Sequence, residues 1–193
     1  MKSESIDYKN IYYPPGGILM WIIIFLELIT FGMALIAMVY YSKEEPEVFH
    51  ESSLLLNRTI GSINTIILIV SGFFMAISVR YIKREEVKKG SFFLRLTMLG
   101  GVLFLLLKTF EYSSKIEMGY TLGYNTFFTF YWMLTLFHVI HVLVGLVILV
   151  SIHRGINKKK SDTTIEDVEA SAAFWHMCDL IWLLLFPIIY LLF

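Results

Sequence analysis

Long apolar runs separated by short clusters of charge dominate the pattern of this chain. The hydrocarbon core of a bilayer is about 30 Å thick, and a helix needs about 20 mostly apolar residues to cross it. Five runs are long enough, at about residues 18–41, 59–79, 92–112, 126–152 and 173–193. Each must be helical, because hydrocarbon offers no hydrogen-bond partner to an open backbone. The pattern predicts an all-α polytopic membrane protein, a five-transmembrane-helix bundle forming one domain over residues 1–193.

The first run is longer and more hydrophobic than the apolar region of a signal peptide, and the residues before it are not markedly basic. We therefore expect it to be retained as a transmembrane helix.

The composition excludes a soluble fold. Hydrophobic residues make up 57% of the 193 positions and charged residues only 17%, whereas a soluble domain has about 25% charged residues. The 16 Lys and Arg residues balance 16 Asp and Glu residues, so no basic excess points to nucleic acid. Cys178 is the single cysteine, which excludes an intrachain disulfide, a CxxC redox pair and a cysteine-ligated iron–sulfur cluster.

The lysine and arginine distribution predicts the orientation, because these residues are enriched in cytoplasmic loops. On one side, the N-terminus and the second and fourth connections carry Lys2, Lys9, Arg80, Lys83, Arg84, Lys88, Lys89, Arg154, Lys158, Lys159 and Lys160. The opposite side carries only Lys43, Arg58 and Lys115. We therefore expect a cytoplasmic N-terminus and a C-terminus outside.

Several ionisable residues lie within the predicted spans. A charge at the centre of a membrane helix costs about 2.5–3.5 kcal/mol, so such residues need partners or a purpose. They are Glu27, Lys108, Glu111, His138, His141, His176 and Asp179. Glu27 either handles protons or senses lipid headgroups, or it is a neutral acid bonded to a neighbouring helix. Lys108 and Glu111 are three positions apart and are expected to pair with each other.

Two further pairs share this three-residue spacing, which places both members on one helical face. They are His138 with His141 in the fourth span, and His176 with Asp179 in the fifth. If the two faces met, they could form a metal site of three imidazoles and a carboxylate, or ligate a heme through one histidine from each helix. We favour an interhelical hydrogen-bond network, because a lone pair of this kind is weak evidence for a metal. The chain contains no nucleophile–base pair, phosphate loop or nucleotide fingerprint.

The last span resembles the closing helix of the cytochrome c oxidase subunit III family of heme-copper oxidases. Residues 174–186 read Phe-Trp-His-Met-Cys-Asp-Leu-Ile-Trp-Leu-Leu-Leu-Phe, similar to the family's aromatic-Trp-His-x-x-Asp-x-x-Trp pattern, and include Trp175 and Trp182. Residues 137–145 are similar to its Phe-His-Gly-x-His-Val-x-x-Gly segment, with Val139 in place of the glycine. The residues 110–112, Phe-Glu-Tyr, and Glu27 followed by Phe31 and Gly32 also resemble family elements.

This resemblance implies the short five-helix form of subunit III, which lacks the first two helices of longer members and still begins in the cytoplasm. It implies an accessory, non-redox subunit of a proton-pumping, aa-type terminal oxidase in the bacterial cytoplasmic membrane. No heme, copper, other metal or catalytic residue is expected on this chain; heme and copper are expected on partner subunits. The implied partners are subunit I, subunit II, small subunits, phospholipid and a larger respiratory supercomplex.

The resemblance also assigns the polar residues to a buried network, or to an interface with lipid or subunit I. These residues are Glu27, Glu111, His138, His141, Trp175, His176, Asp179 and Trp182. Alternative functions are the subunit III-like protein of a nitric oxide reductase, a quinol oxidase subunit, and, from a different class, a stand-alone heme- or metal-binding membrane protein.

Overall fold

The computed structural model describes residues 16–157 and 163–193. These residues form six helices and no strand: α1 (Ile18–Glu44), α2 (Pro46–Leu54), α3 (Arg58–Lys83), α4 (Val87–Glu117), α5 (Thr126–Ile156) and α6 (Ile165–Tyr190). All except α2 are long and apolar enough to cross a membrane, which confirms the five predicted spans. Lys2, Lys9 and residues 158–160, which contribute to the predicted orientation, lie outside the described residues.

Most helices extend beyond the apolar runs that predict them. For example, α4 begins at Val87 rather than near residue 92, and α6 at Ile165 rather than near 173. Side-chain caps explain several of these starts, because they satisfy backbone N–H groups that have no intrahelical partner. Asn57 accepts from the N–H of Ile60 at 3.1 Å, and Thr164 forms a reciprocal capping box with Asp167.

The helix α2 is not among the elements that the apolar pattern predicts. Pro46 occupies the first turn of α2, a position where its missing N–H costs nothing. The helix buries Phe49 against Phe127 of α5 and Phe193, with ring centroids 5.5 and 5.2 Å apart. Nine residues are too few to span a bilayer, so α2 closes one end of the bundle.

The helix α6 occupies the centre of the bundle. It packs against α1, α3 and α5, while α4 packs against α3 and α5. The helix α1 contacts α2, α5 and α6 and lies at the edge, where Phe25, Ile29 and Met33 remain exposed. The core around α6 is aromatic, with Phe104, Trp175 and Trp182 fully buried.

The indole of Trp175, one of the largest side chains of this core, packs against two glycines. A β-carbon on Gly101 of α4 would lie 2.5 Å from Cη2 of Trp175, and one on Gly145 of α5 would lie 3.0 Å from its Cε3. Both distances are shorter than carbon atoms tolerate at van der Waals contact. The indole of Trp175 therefore fits between α4 and α5 only because neither position has a side chain.

We predict that Gly101→Ala destabilises the protein by about 1–3 kcal/mol, because the added methyl group overpacks the site against Trp175. Thermal unfolding of the purified protein in mild detergent measures this change. Gly32→Ala in α1 is the matched control, since no atom lies within 4 Å of its β-carbon position. Equal thermal stability of the two variants would contradict the close packing of α4 on Trp175.

Candidate functional site

A sealed cluster of charged and phenolic groups joins α4, α5 and α6. Lys108 and Glu111 are 1% and 2% exposed, and the Lys108 Nζ lies 3.0 Å from Oε2 of Glu111, as their spacing predicts. The Lys108 ammonium also donates to the Tyr190 hydroxyl at 3.0 Å. Tyr190 donates to Oε1 of Glu111 at 2.7 Å, and Tyr131 donates to the same atom at 3.1 Å. Both charges are therefore paired inside the protein.

Aromatic rings complete the surroundings of the Lys108 ammonium. Its Nζ lies 4.8 Å from the ring centroid of Tyr112, 5.2 Å from that of Tyr131 and 5.2 Å from that of Trp182. A cation within about 6 Å of an aromatic face is attracted by the ring quadrupole, most strongly when water is excluded. The cluster thus stabilises a buried cation through one carboxylate, one hydroxyl and several rings.

Sequence reasoning identified the Lys108–Glu111 pair but missed Tyr131 and Tyr190. These two tyrosines lie 20 and 79 positions from Glu111, so no local spacing connects them to it. Their residue type could have indicated a role, because a tyrosine inside an apolar span requires a hydrogen-bond partner for its hydroxyl.

Glu27 contacts His141 across the interface between α1 and α5. Oε2 of Glu27 lies 3.2 Å from Nε2 of His141, and the Glu27 side chain is 25% exposed. Nδ1 of His141 lies 2.7 Å from the carbonyl oxygen of Phe137, which can only accept, so Nδ1 carries a proton. Oε2 of Glu27 has no hydrogen-bond partner among the described residues, so the two side chains face each other at ion-pair distance.

His138 is enclosed one turn before His141. Its ring lies 5.6 Å from that of Phe104 and 5.3 Å from that of Trp182, between centroids. The residue is fully buried, and neither ring nitrogen has a hydrogen-bond partner among the described residues. His138 therefore faces Phe104 of α4 and Trp182 of α6, whereas His141 faces α1 and the ring of Phe174 in α6.

His176 and Asp179 lie on the part of α6 that faces α3. Nδ1 of His176 is 3.7 Å from Oδ2 of Asp179, which is an ion-pair distance rather than a hydrogen bond. The His176 side chain is 45% exposed. Asp179 occupies the space that a β-carbon on Gly72 of α3 would need, and its Oδ1 has no hydrogen-bond partner within the described residues.

The two tryptophans of the last span bind α6 to α3. Nε1 of Trp175 donates to Oγ of Ser71 at 3.1 Å, and Nε1 of Trp182 donates to Oγ1 of Thr65 at 3.0 Å. The indole rings fill the core while their single donors are satisfied, as buried tryptophans require.

The histidines of α5 and α6 do not converge on one site, because each makes separate contacts. His141 lies against Glu27, His138 against Phe104 and Trp182, and His176 against Asp179. In residues 16–157 and 163–193, no group of three or more His, Cys, Asp or Glu side chains could hold a metal ion. The arrangement positions helices relative to one another and provides paired rather than converging polar groups.

Comparison with known proteins identifies this bundle. The family model described as cytochrome c oxidase subunit III matches residues 18–192, which include all six helices. This chain belongs to the cytochrome c oxidase subunit III family. The match covers each element that carries the resemblance in the sequence, from Glu27 to Trp182.

Curated relatives of this subunit III chain include oxidases named for two different electron donors. It is 28% identical over 146 residues to the cytochrome bo(3) ubiquinol oxidase subunit 3 of Buchnera aphidicola, covering 75% of this chain and 68% of that protein. It is 34% identical over 149 residues to the cytochrome c oxidase subunit 3 of Synechocystis sp., covering 76% of this chain and 61% of that protein.

A third relative carries two subunit names. The heme-copper oxidase subunit I+III of Aeropyrum pernix is 25% identical over 182 residues, covering 89% of this chain and 22% of that protein. The matched region spans between about half and two thirds of the length of most of the subunit 3 relatives.

We predict that Glu111→Gln lowers the free energy of unfolding by about 3–5 kcal/mol, because it leaves the Lys108 ammonium buried without a counter-charge. Thermal unfolding in mild detergent measures the effect. Glu117→Gln is the control, since that carboxylate is exposed on the same helix.

A double variant separates charge pairing from packing at this cluster. Replacing both partners, in Lys108→Met with Glu111→Gln, should recover most of the lost stability, because no unpaired charge remains. If Glu111→Gln were no more harmful than Glu117→Gln, the cluster would not contribute to the stability of the bundle.

Proposed function

We propose that this chain is an accessory, non-redox subunit III of a respiratory terminal oxidase of the aa-type, which reduces oxygen to water and pumps protons. In this role it stabilises subunit I, binds phospholipid and supports proton uptake by the catalytic subunit. Family membership supports the assignment to a heme-copper oxidase subunit III. The heme and copper of such a complex are proposed to lie on its partner subunits.

One observation carries the accessory role, namely the sealing of the Lys108 cluster. Lys108 and Glu111 are buried and paired with each other and with two tyrosines, so their charges are neutralised within the bundle. Such a cluster holds three helices in register, and the chemistry of the oxidase would then belong to other subunits.

The other polar residues are proposed to serve the same purpose or to face lipid and neighbouring subunits. Trp175 and Trp182 join α6 to α3, and His138 fills the core beside Trp182. Glu27 and His176 are partly exposed, and Asp179 is buried beside His176; we assign these three residues to the interface with lipid or subunit I. Glu27 is thus a paired carboxylate at an interface rather than a member of the main proton path.

Subunit I is the proposed main partner. The relative from Aeropyrum pernix is named for subunits I and III together, which supports a close association of these two parts. Subunit II, small subunits and a larger respiratory assembly are proposed as further neighbours. We place the complex in a bacterial cytoplasmic membrane, with the N-terminus of this chain in the cytoplasm, following its lysine and arginine distribution.

A quinol oxidase is the second candidate for the parent complex. It is favoured by the relative named as a ubiquinol oxidase subunit, whose match covers 75% of this chain. The accessory role of this chain would be the same in either complex.

Purification through a tag on this chain, in mild detergent, tests the proposal. We expect subunit I to co-purify, together with heme a and copper. Heme b or o with copper would favour the quinol oxidase. Heme b or c with non-heme iron and no copper would assign the chain to a nitric oxide reductase, and heme that stays on the isolated chain would overturn the accessory role.

A further inference from the structure

An open groove lies between the α2–α3 connection and the last turns of α4. Its volume is about 590 Å³, and its walls are formed by residues 54–58 and Ile60 on one side and by Phe110, Glu111, Ser114, Lys115 and Met118 on the other. Arg58 is the first residue of α3, and Lys115 lies two residues before the end of α4. The groove is therefore at the membrane interface, where polar headgroups lie next to hydrocarbon.

Lys115 brings to this groove a positive charge that has no ion-pair partner among the described residues. The residue is only 4% exposed, and its Nζ donates to the carbonyl oxygen of Leu55 at 2.5 Å. An ammonium group has three donors, so this bond uses one of them. No carboxylate oxygen lies within 4.0 Å of Lys115 in the described part of the chain. A nearly buried cation without a counter-ion favours an anionic ligand.

Arg58 adds a second positive charge at the same place. It also has no carboxylate within 4.0 Å among residues 16–157 and 163–193. Because Arg58 begins α3, its charge is added to the positive end of the helix dipole. The carboxylate that lines the groove, Glu111, is already bonded to Lys108, Tyr131 and Tyr190.

The remaining wall of the groove is apolar. Leu54, Phe110 and Met118 are large exposed hydrophobic residues on its rim. Two other grooves of the bundle, at α3–α4 and α1–α5, are lined almost entirely by apolar side chains and contain no charged residue. The groove at Lys115 thus combines two cations with a hydrocarbon surface, as an amphiphilic anion requires.

We propose that this groove binds an anionic phospholipid, with the phosphate between Lys115 and Arg58 and an acyl chain along Phe110 and Met118. The inference rests on the phospholipid binding contained in the proposed function, and it assigns that lipid a site and a charge. Because Glu111 belongs both to the groove wall and to the Lys108 cluster, bound lipid would also cover the sealed ion pair.

Native mass spectrometry tests this site on the complex purified through the tagged chain. The complex is delipidated, incubated with phosphatidylglycerol or phosphatidylcholine, and the chain is released in the gas phase with its bound lipid. Arg58→Gln removes one cation, and Lys115→Gln removes the other while keeping a donor for the carbonyl of Leu55. Arg80→Gln, at the opposite end of α3, is the matched control.

We expect the wild-type chain and Arg80→Gln to retain phosphatidylglycerol in preference to phosphatidylcholine. Each groove variant should bind it about tenfold more weakly or worse, because a charge-assisted contact is lost. Equal retention of both lipids, or unchanged retention in both groove variants, would overturn the proposal. Displacement of phosphatidylglycerol by inorganic phosphate would assign the site to a free anion instead.

The lipid result does not depend on which parent complex co-purifies. Heme and copper analysis of the same preparation reports whether an oxidase co-purifies, whereas the lipid is counted on this chain alone. A failure of the lipid site would therefore leave the oxidase assignment intact, and the reverse also holds.

Discussion

The buried pairing of Lys108 with Glu111 is the constraint on which the rest of the structure depends. Two charges within a bilayer are tolerated only if each finds a partner and the remaining donors and acceptors are satisfied. Here Tyr131 of α5 and Tyr190 of α6 supply those partners, so the pair can remain buried only when three helices are in the correct register. Packing of lipid-facing apolar residues could not define that register, since lipid tails solvate them equally well.

The helices α1 and α3 attach to this frame through separate polar contacts. Trp175 and Trp182 of α6 donate to the hydroxyl groups of Ser71 and Thr65 in α3. The ion pair of Lys83 with Glu169 joins the last residue of α3 to the first turns of α6. One polar contact of α1 is the Glu27–His141 pair, beside the stacked rings of Phe31 and Phe137. The edge helix α1 keeps a large exposed apolar face, which suits a subunit whose outer surfaces meet lipid or other subunits.

Much of the fold could be predicted from sequence because a membrane imposes a simple length rule on apolar runs. The same rule could not find α2, which is short, carries polar residues and gains its stability from Phe49 docking on Phe127. Local spacing identified the Lys108–Glu111 pair, but contacts between distant segments depend on how each helix is rotated. His138 and His141 are on one face, as expected, yet the rotation of α5 directs one to Trp182 and the other to Glu27.

The resemblance to subunit III, read from four short motifs, is confirmed by the family match over residues 18–192. The orientation in the membrane remains a prediction from the lysine and arginine distribution. The individual roles of Glu27 and Asp179 remain proposals, because a motif identifies a residue without defining what its side chain contacts.

We propose that this chain contributes stability and no redox centre to an oxidase complex. Removing it from the purified complex with a harsher detergent, and measuring heme and copper per subunit I before and after, tests this claim most directly. The account predicts that both cofactors and the initial rate of oxygen reduction are retained, while the remaining complex loses activity sooner during sustained turnover. Loss of heme or copper together with this chain would contradict it.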